Sequence, residues 1–269
     1  DHNARMHAGE WNKSAKGSHE IRGRSLGIVG YGNIGSQLSV VAESLGMRVY
    51  FYDIVDKLAL GNARGVGSLD ELLGIAETVT VHVDGRPGSS GLFGAAQFAK
   101  MRPRSLFLNL SRGFVVDDHA LRAALDSGHI AGAALDVYPH EPKASGDTFE
   151  SPLRGVPNVI LTPHVGGSTQ EAQQDIGRFV AGKLIDYVKT GATSLSVNMP
   201  QVQVGASEHK RIVSLHRNVP GVLAKINTML ADLGANIEGQ NLATRGNVGY
   251  VVLDVNTEAP REVIAALEA

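Results

Sequence analysis

Three polar residues stand just past apolar runs and could act together. They are Arg112 in Asn109-Leu110-Ser111-Arg112-Gly113, Glu141 in Asp136-Val137-Tyr138-Pro139-His140-Glu141-Pro142, and His164 in Thr162-Pro163-His164-Val165-Gly166-Gly167. A histidine titrates near neutrality and can take a hydroxyl proton. A glutamate hydrogen-bonded to the ring would fix its tautomer and favour its charged form. An arginine fork matches a carboxylate. The set suits oxidation of a 2-hydroxy acid, with hydride passing to a bound cofactor. Each residue taken singly has a plainer reading: a surface arginine, a Glu-Pro loop, one histidine among ten.

A second constellation is Gly30-Tyr31-Gly32-Asn33-Ile34-Gly35, placed between the apolar run Leu26–Val29 and a helical pattern over Gln37–Leu45. Gly30 suits a tight turn, Gly32 a close approach of backbone to phosphate, and Gly35 close packing of helix on sheet. The helix N-terminus offers N–H groups and a positive dipole end to a pyrophosphate. Asp53, 18 positions past Gly35, ends the next apolar run, where it can bind ribose hydroxyls and repel a 2′-phosphate. Together these favour NAD over NADP. A glycine-rich turn in an unrelated α/β domain is the alternative.

The elements that must hold these groups follow from the pattern. Short, continuously apolar runs at Leu26–Val29, Val49–Tyr52, Val79–Val83, Leu106–Leu110, Ala131–Val137 and Val159–Leu161 alternate with helical segments. Strands buried on both faces read this way, so the fold class is α/β, a doubly wound parallel sheet of Rossmann type. Ser68 with Glu71 and Ser168 with Glu171 form capping boxes, and Gly128 and Gly191 sit where helices end. Domain one is expected over 1–191, with flanking helices, and a linker over 192–208. A β-α-β-β-α pattern over 209–269 is one strand short of a ferredoxin-like unit.

Bulk properties exclude several classes. The 269 residues carry a formal net charge of −2 with scattered basic residues, which fits neither a nucleic-acid footprint nor an anionic membrane. There is no cysteine, hence no disulfide, thiolate nucleophile or Cys-bound metal. No apolar run approaches the roughly 18 residues of a membrane span and no signal peptide opens the chain, so a cytoplasmic protein without a metal is expected. Residue 1 is Asp, and the chain stops within the helical pattern of Val263, Ile264 and Leu267. Both ends read as cut from a longer protein.

The stretch from Trp11 to Gly191 resembles the D-isomer-specific 2-hydroxyacid dehydrogenases. The matching runs are the glycine turn, Ala42-Glu43-Ser44-Leu45-Gly46-Met47, the three strand-end motifs above, and Gly167-Ser168-Thr169-Gln170-Glu171-Ala172. The resemblance implies Arg112, Glu141 and His164 as the catalytic trio. It places Gly30, Gly32, Asn33, Ile34, Gly35, Asp53, Leu110, Ser111, Arg112, Asp136, His164, Val165, Gly166 and Gly167 around NAD, with Asp136 near the nicotinamide amide. The tail resembles an ACT domain. His216, Asn218 and Asn236 match residues that hold serine there, although His216 and Asn218 would also suit a plain turn before Pro220-Gly221. For the branch of the family with such a tail, 3-phosphoglycerate is the implied substrate, serine the effector and a homo-oligomer, a tetramer, the implied assembly. The alternatives are another D-2-hydroxy acid such as 2-hydroxyglutarate, or a non-catalytic NAD-responsive scaffold. Asp84 departs from the family, which usually places Pro there. The family's first, substrate-binding segment and the last ACT strand are absent from this sequence. The chain as given is therefore expected to bind NAD weakly and to turn over little.

Overall fold

The structure, a computed structural model, describes residues 2–15, 17–256 and 260–268. It divides into two compact units, Asp1–Ser168 and Thr169–Ala269.

The first unit opens with a short helix, α1 (His2–His7). It continues through β1 (Ser25–Val29), α2 (Asn33–Ser44), β2 (Arg48–Tyr52), β3 (Arg64–Gly65), α3 (Leu69–Ile75) and β4 (Thr78–Val81). Then come α4 (Ala95–Lys100), β5 (Ser105–Asn109), α5 (Asp118–Asp126), β6 (Ile130–Leu135) and β7 (Val159–Leu161). The strands form one parallel sheet in the order β3-β2-β1-β4-β5-β6-β7. All five residues of β1 are buried, as its unbroken apolar run demands. The expected strands are present with shifted ends. The seventh, β3, escaped the sequence reading because a two-residue edge strand carries no apolar signature.

Helix starts follow local chemistry. Ser68 Oγ accepts from Glu71 N at 3.1 Å, while the Glu71 carboxylate reaches Gly67 N at 2.9 Å, one residue short of a reciprocal box. Asp117 caps α5 by accepting from His119 N and Ala120 N. Gly128, at φ +73°, closes that helix in the left-handed conformation.

The second unit contains α6 (Gln170–Thr190), β8 (Lys210–Arg217), α7 (Val222–Asp232), β9 (Asn236–Arg245), β10 (Val248–Asn256) and α8 (Pro260–Glu268). The sequence reading attached residues 170–191 to the first domain; α6 instead groups with the second unit, and none of its residues is buried. Its cap is Thr169, whose hydroxyl accepts from Ala172 N at 3.1 Å, rather than Ser168. The antiparallel sheet runs β8-β10-β9. Alternation along β10 splits its buried side chains between two faces. Val251, Leu253 and Val255 pack with Ile226 and Leu230 of α7 and Val263 of α8, and Tyr250 and Val252 pack with Val202. Residues 192–208 are thus more than a tether: Val202 and the buried Thr193, whose hydroxyl donates to Pro200 O at 2.7 Å, cover one face of that sheet.

Candidate active site

The glycine turn lies where the strand order reverses, between β1, β2 and β4, the crevice in which open α/β sheets bind ligands. Gly30 has φ +92°, and a Cβ there would meet the carbonyl oxygen of His82 at 2.6 Å. A Cβ on Gly35 would run into the carbonyl oxygen of Gly30. Nothing lies within 4 Å of the corresponding point on Gly32, whose bare backbone opens onto the crevice at the N-terminus of α2. Asn33 and Ile34 are exposed beside it. Tyr31 holds the turn down: its ring stacks on Phe51 at 3.7 Å, and its hydroxyl meets Ser39 Oγ at 2.7 Å. Asp53 accepts from Tyr31 N at 2.8 Å and Val55 N at 3.2 Å, which fixes its carboxylate at the end of β2. Bare backbone, helix N-terminus and fixed acid suit a pyrophosphate and a ribose diol, so the residues fit NAD.

Glu141 and His164 rest on a buried polar scaffold. Asp136, 5% exposed, follows β6 and accepts from Thr162 Oγ1 at 2.6 Å, Val165 N at 2.9 Å and Gly166 N at 2.8 Å. Burial works against its charge, but these three donors, with His164 nearby, hold its carboxyl below the usual range. The donors bracket His164, which sits at φ +53°, a left-handed conformation that costs a non-glycine residue about 1–3 kcal/mol and persists only where its surroundings enforce it. Asp136 enforces it from both sides. A Cβ on Gly166 would stand 3.0 Å from its carboxylate, so glycine permits the approach.

His164 Nδ1 meets Glu141 Oε2 at 2.9 Å, and Glu141 Oε1 accepts from Tyr138 N at 3.1 Å. Burial opposes the charge of Glu141, and the histidine and backbone contacts outweigh it, so its carboxyl lies below the usual range. A cleft of about 550 Å³ beside the pair is walled by Tyr138, Phe149 and Leu161.

Arg112 is held on the neighbouring loop. Buried Asn109 donates to the Arg112 carbonyl at 3.0 Å and accepts from Ser111 N and Oγ, while the Arg112 guanidinium donates to Ser111 O at 2.7 Å. Ser111 is thus turned inward, whereas Leu110 and Val165 are exposed. Among the sequence candidates, Glu141 and His164 are in direct contact and Arg112 is placed one loop away. The sequence reading passed over Asn109, Thr162 and Gly113. A Cβ on Gly113 would collide with the Tyr138 carbonyl and stand 2.5 Å from Pro139 N, so the Arg112 loop and the Glu141 loop interlock there. Asp118 was also missed. It is 7% exposed, its Oδ1 has no partner, and burial, with Asp117 adding to it, pushes its carboxyl up to about 6 against the pull of His119 and His140.

In the second unit, His216 lies within β8 and Asn218 just past its end. His216 Nδ1 meets Arg217 O at 3.0 Å, its buried Nε2 has no partner, and its ring packs over Gly249. Asn218 donates to Gly246 O at 3.0 Å, at the β9–β10 turn. Asn236 starts β9, paired with Asn256, at the other end of the same sheet.

A parallel sheet with a glycine turn at its switch point and a carboxylate–imidazole pair beyond its strand ends is the architecture of a dinucleotide-binding unit. The chain belongs to the D-isomer specific 2-hydroxyacid dehydrogenase family: residues 1–166 match that family's NAD binding domain, and residues 212–269 match the AHAS small subunit-like ACT domain. It is 51% identical over 256 residues to D-3-phosphoglycerate dehydrogenase of Escherichia coli strain K12, covering 95% of this chain and 62% of that one. It is 50% identical over 267 residues to the enzyme of the same name from Haemophilus influenzae, covering 99% and 65%. The chain thus spans less than two thirds of the length of these relatives. An NAD-complexed D-isomer specific 2-hydroxyacid dehydrogenase from Lactobacillus delbrueckii ssp. bulgaricus aligns with a TM-score of 0.63 at 27% identity, covering 73% of this chain and 63% of that one. Among the described residues, no group of three or more His, Asp or Glu side chains could hold a metal ion and no helix is long and apolar enough to cross a membrane.

Proposed function

We propose that the protein to which this chain belongs oxidises 3-phospho-D-glycerate to 3-phosphohydroxypyruvate with NAD, the first step of serine biosynthesis, in the cytoplasm. The observation that carries the reading is the 2.9 Å contact of Glu141 with His164 Nδ1. With Nδ1 engaged, Nε2 is the working nitrogen and takes the proton of the substrate's 2-hydroxyl. Glu141 stabilises the imidazolium that forms. Arg112 binds the substrate carboxylate and draws charge from the developing carbonyl. Bound NAD would supply the hydride acceptor for C2. Gly30, Gly32, Asn33, Ile34 and Gly35 would hold the pyrophosphate, Asp53 the ribose, and Leu110, Ser111, Asp136 and His164 through Gly167 would face the nicotinamide side. The resemblance to enzymes named D-3-phosphoglycerate dehydrogenase supports the substrate over other 2-hydroxy acids. In the intact protein, His164→Ala is expected to lower kcat by about 100-fold or more. Unchanged turnover, or a substrate panel led by a non-phosphorylated acid, would sink the reading.

Serine is the proposed effector, held by His216, Asn218 and Asn236, and it is expected to inhibit the wild-type enzyme. Asn236 and Asn218 are separated by most of the length of β9, on the order of 30 Å at the usual rise per residue. One chain cannot close both on one amino acid. The site needs two copies, each supplying one end, which favours a homo-oligomer. Asn218→Ala is expected to relieve inhibition by serine without lowering the basal rate; a serine-insensitive wild-type enzyme contradicts the proposal.

A further inference from the structure

The loop after β4 carries a pair that the proposed chemistry does not use. Arg86 folds back on Asp84, with Nε donating to Oδ1 at 2.7 Å and Nη2 to Oδ2 at 2.6 Å. Its backbone is fixed as well. Pro87 confines the preceding residue to extended conformations, and Arg86 has ψ 153°, at the start of a one-turn 3₁₀ helix over Pro87–Ser89. Arg86 and Asp84 line a cleft of about 390 Å³ with Gly30, Gly32, Asp53 and Ile54. The floor of this cleft is the glycine turn. One wall continues from the end of β2, and the loop that carries Arg86 forms the other.

With the pyrophosphate over Gly32 and the ribose at Asp53, the space left between these walls is the place for the purine. We propose that Arg86, pinned edge-on by Asp84, is the platform on which the adenine ring stacks, and that the neutralised pair keeps the cleft selective for NAD over NADP. This rests on the NAD reading of the cleft. The bidentate pair engages the Nε–Nη2 edge of the guanidinium and leaves about half of the Arg86 side chain (53%) exposed, and a planar cation is a good stacking partner for an aromatic ring. Because the side chain is already held, little rotamer freedom is lost when the purine arrives. An unpaired arginine beside Asp53 would offset that residue's repulsion of a 2′-phosphate. Asp84 removes the offset by absorbing the charge. Asp53 itself lies close enough to Arg86 to add to the field that keeps it protonated.

The test is calorimetric binding of NAD, NADP, ADP-ribose and nicotinamide mononucleotide to the 269-residue chain and its variants. Arg86→Ala is expected to weaken ADP-ribose and NAD about 3–10-fold while leaving the mononucleotide unchanged. Arg86→Lys, which keeps the charge but not the plane, is expected to behave like Arg86→Ala. Asp84→Asn, which frees the guanidinium's charge, is expected to narrow the preference for NAD over NADP by about 10-fold. Wild-type ADP-ribose affinity in Arg86→Ala or Arg86→Lys overturns the platform, and an unchanged NAD/NADP ratio in Asp84→Asn overturns the selectivity. A wild-type chain that binds neither NAD nor ADP-ribose overturns the NAD reading itself, and the inference with it.

Discussion

Asp136 and Asp118 stand on adjacent strand-end connections of the first unit and are buried alike, 5% and 7% exposed, yet their carboxyls move in opposite directions. Asp136 meets three donors and stays charged; Asp118 has an unpartnered Oδ1 and is pushed up to about 6. Low exposure alone therefore does not decide the state of a carboxylate: Asp118 is also the more deeply desolvated of the two. Donors already in place make burial an asset, and without them it is a cost. The asset stands under His164. The cost stands at the start of α5, within the electrostatic reach of His140, the residue before Glu141. Gly113 joins the two regions, packed against the Tyr138–Pro139 backbone a few residues before Asp118.

The largest effect is expected at that junction. Gly113→Ala places a methyl group where the Tyr138 carbonyl already is, and neither backbone is the soft end of a side chain. A loss of about 4 kcal/mol or more is expected, with the Arg112 and Glu141 loops forced apart. Urea unfolding and NAD binding measured together check this. Near-wild-type values for both would mean that the loops are less tightly interlocked than the backbone contact implies.

Asp136→Asn comes next. The amide oxygen can keep some of the donors, but its NH₂ cannot accept from Val165 N or Gly166 N, so a loss of about 3 kcal/mol is expected at pH 7. The sign with pH follows from the lowered carboxyl. Its contribution is full above the unfolded value near 3.9 and is lost as pH falls through the lower folded value. The gap between wild type and variant should therefore close in acid. A constant gap from pH 7 to pH 2 would show that the charge is not what the donors hold.

Asp118→Asn should act in the opposite direction. A carboxyl raised to about 6 opposes folding wherever it is ionised. Removing the charge should stabilise the unit by about 2 kcal/mol at pH 8, and the gain should fade as pH falls from about 6 to about 4, below which both states are protonated. Destabilisation at pH 8 would mean that Asp118 has a partner when ionised.

Much of this architecture was legible beforehand, and the failures share a cause. Continuous apolar runs gave away six strands because burial on both faces leaves no polar positions. Gly30 to Gly35 and Asp53 were legible because their tasks are local, each set by the backbone of its own turn. The contact of Glu141 with His164 was anticipated from chemistry, since both follow strand ends on one edge of the sheet. Gly113, Asn109 and Thr162 were passed over because what they touch lies on another loop, and nothing in their own neighbourhood records it. Thr193 and Val202 hid in a Ser- and Val-rich stretch for the same reason: a linker that covers a sheet face has the composition of one that does not. The two ends of the proposed serine site looked like one group in the sequence, and only the strand order sets Asn236 far from Asn218.

The smallest effect separates the donors of Asp136 from one another. Thr162→Val keeps the shape of the side chain and removes the hydroxyl, with its 2.6 Å contact to Asp136 and a long 3.5 Å one to Leu135 O, leaving Val165 N and Gly166 N in place. A loss of about 1 kcal/mol is expected, with the Asp136 carboxyl moving part of the way back toward its ordinary value, readable by NMR titration of that carboxyl carbon. His164 should keep its left-handed conformation, because the two backbone donors beyond it still close the loop. Should Thr162→Val instead cost as much as Asp136→Asn, the loop would hang on the hydroxyl alone. Asp136 would then differ from Asp118 by a single donor, rather than by the set of three that brackets His164.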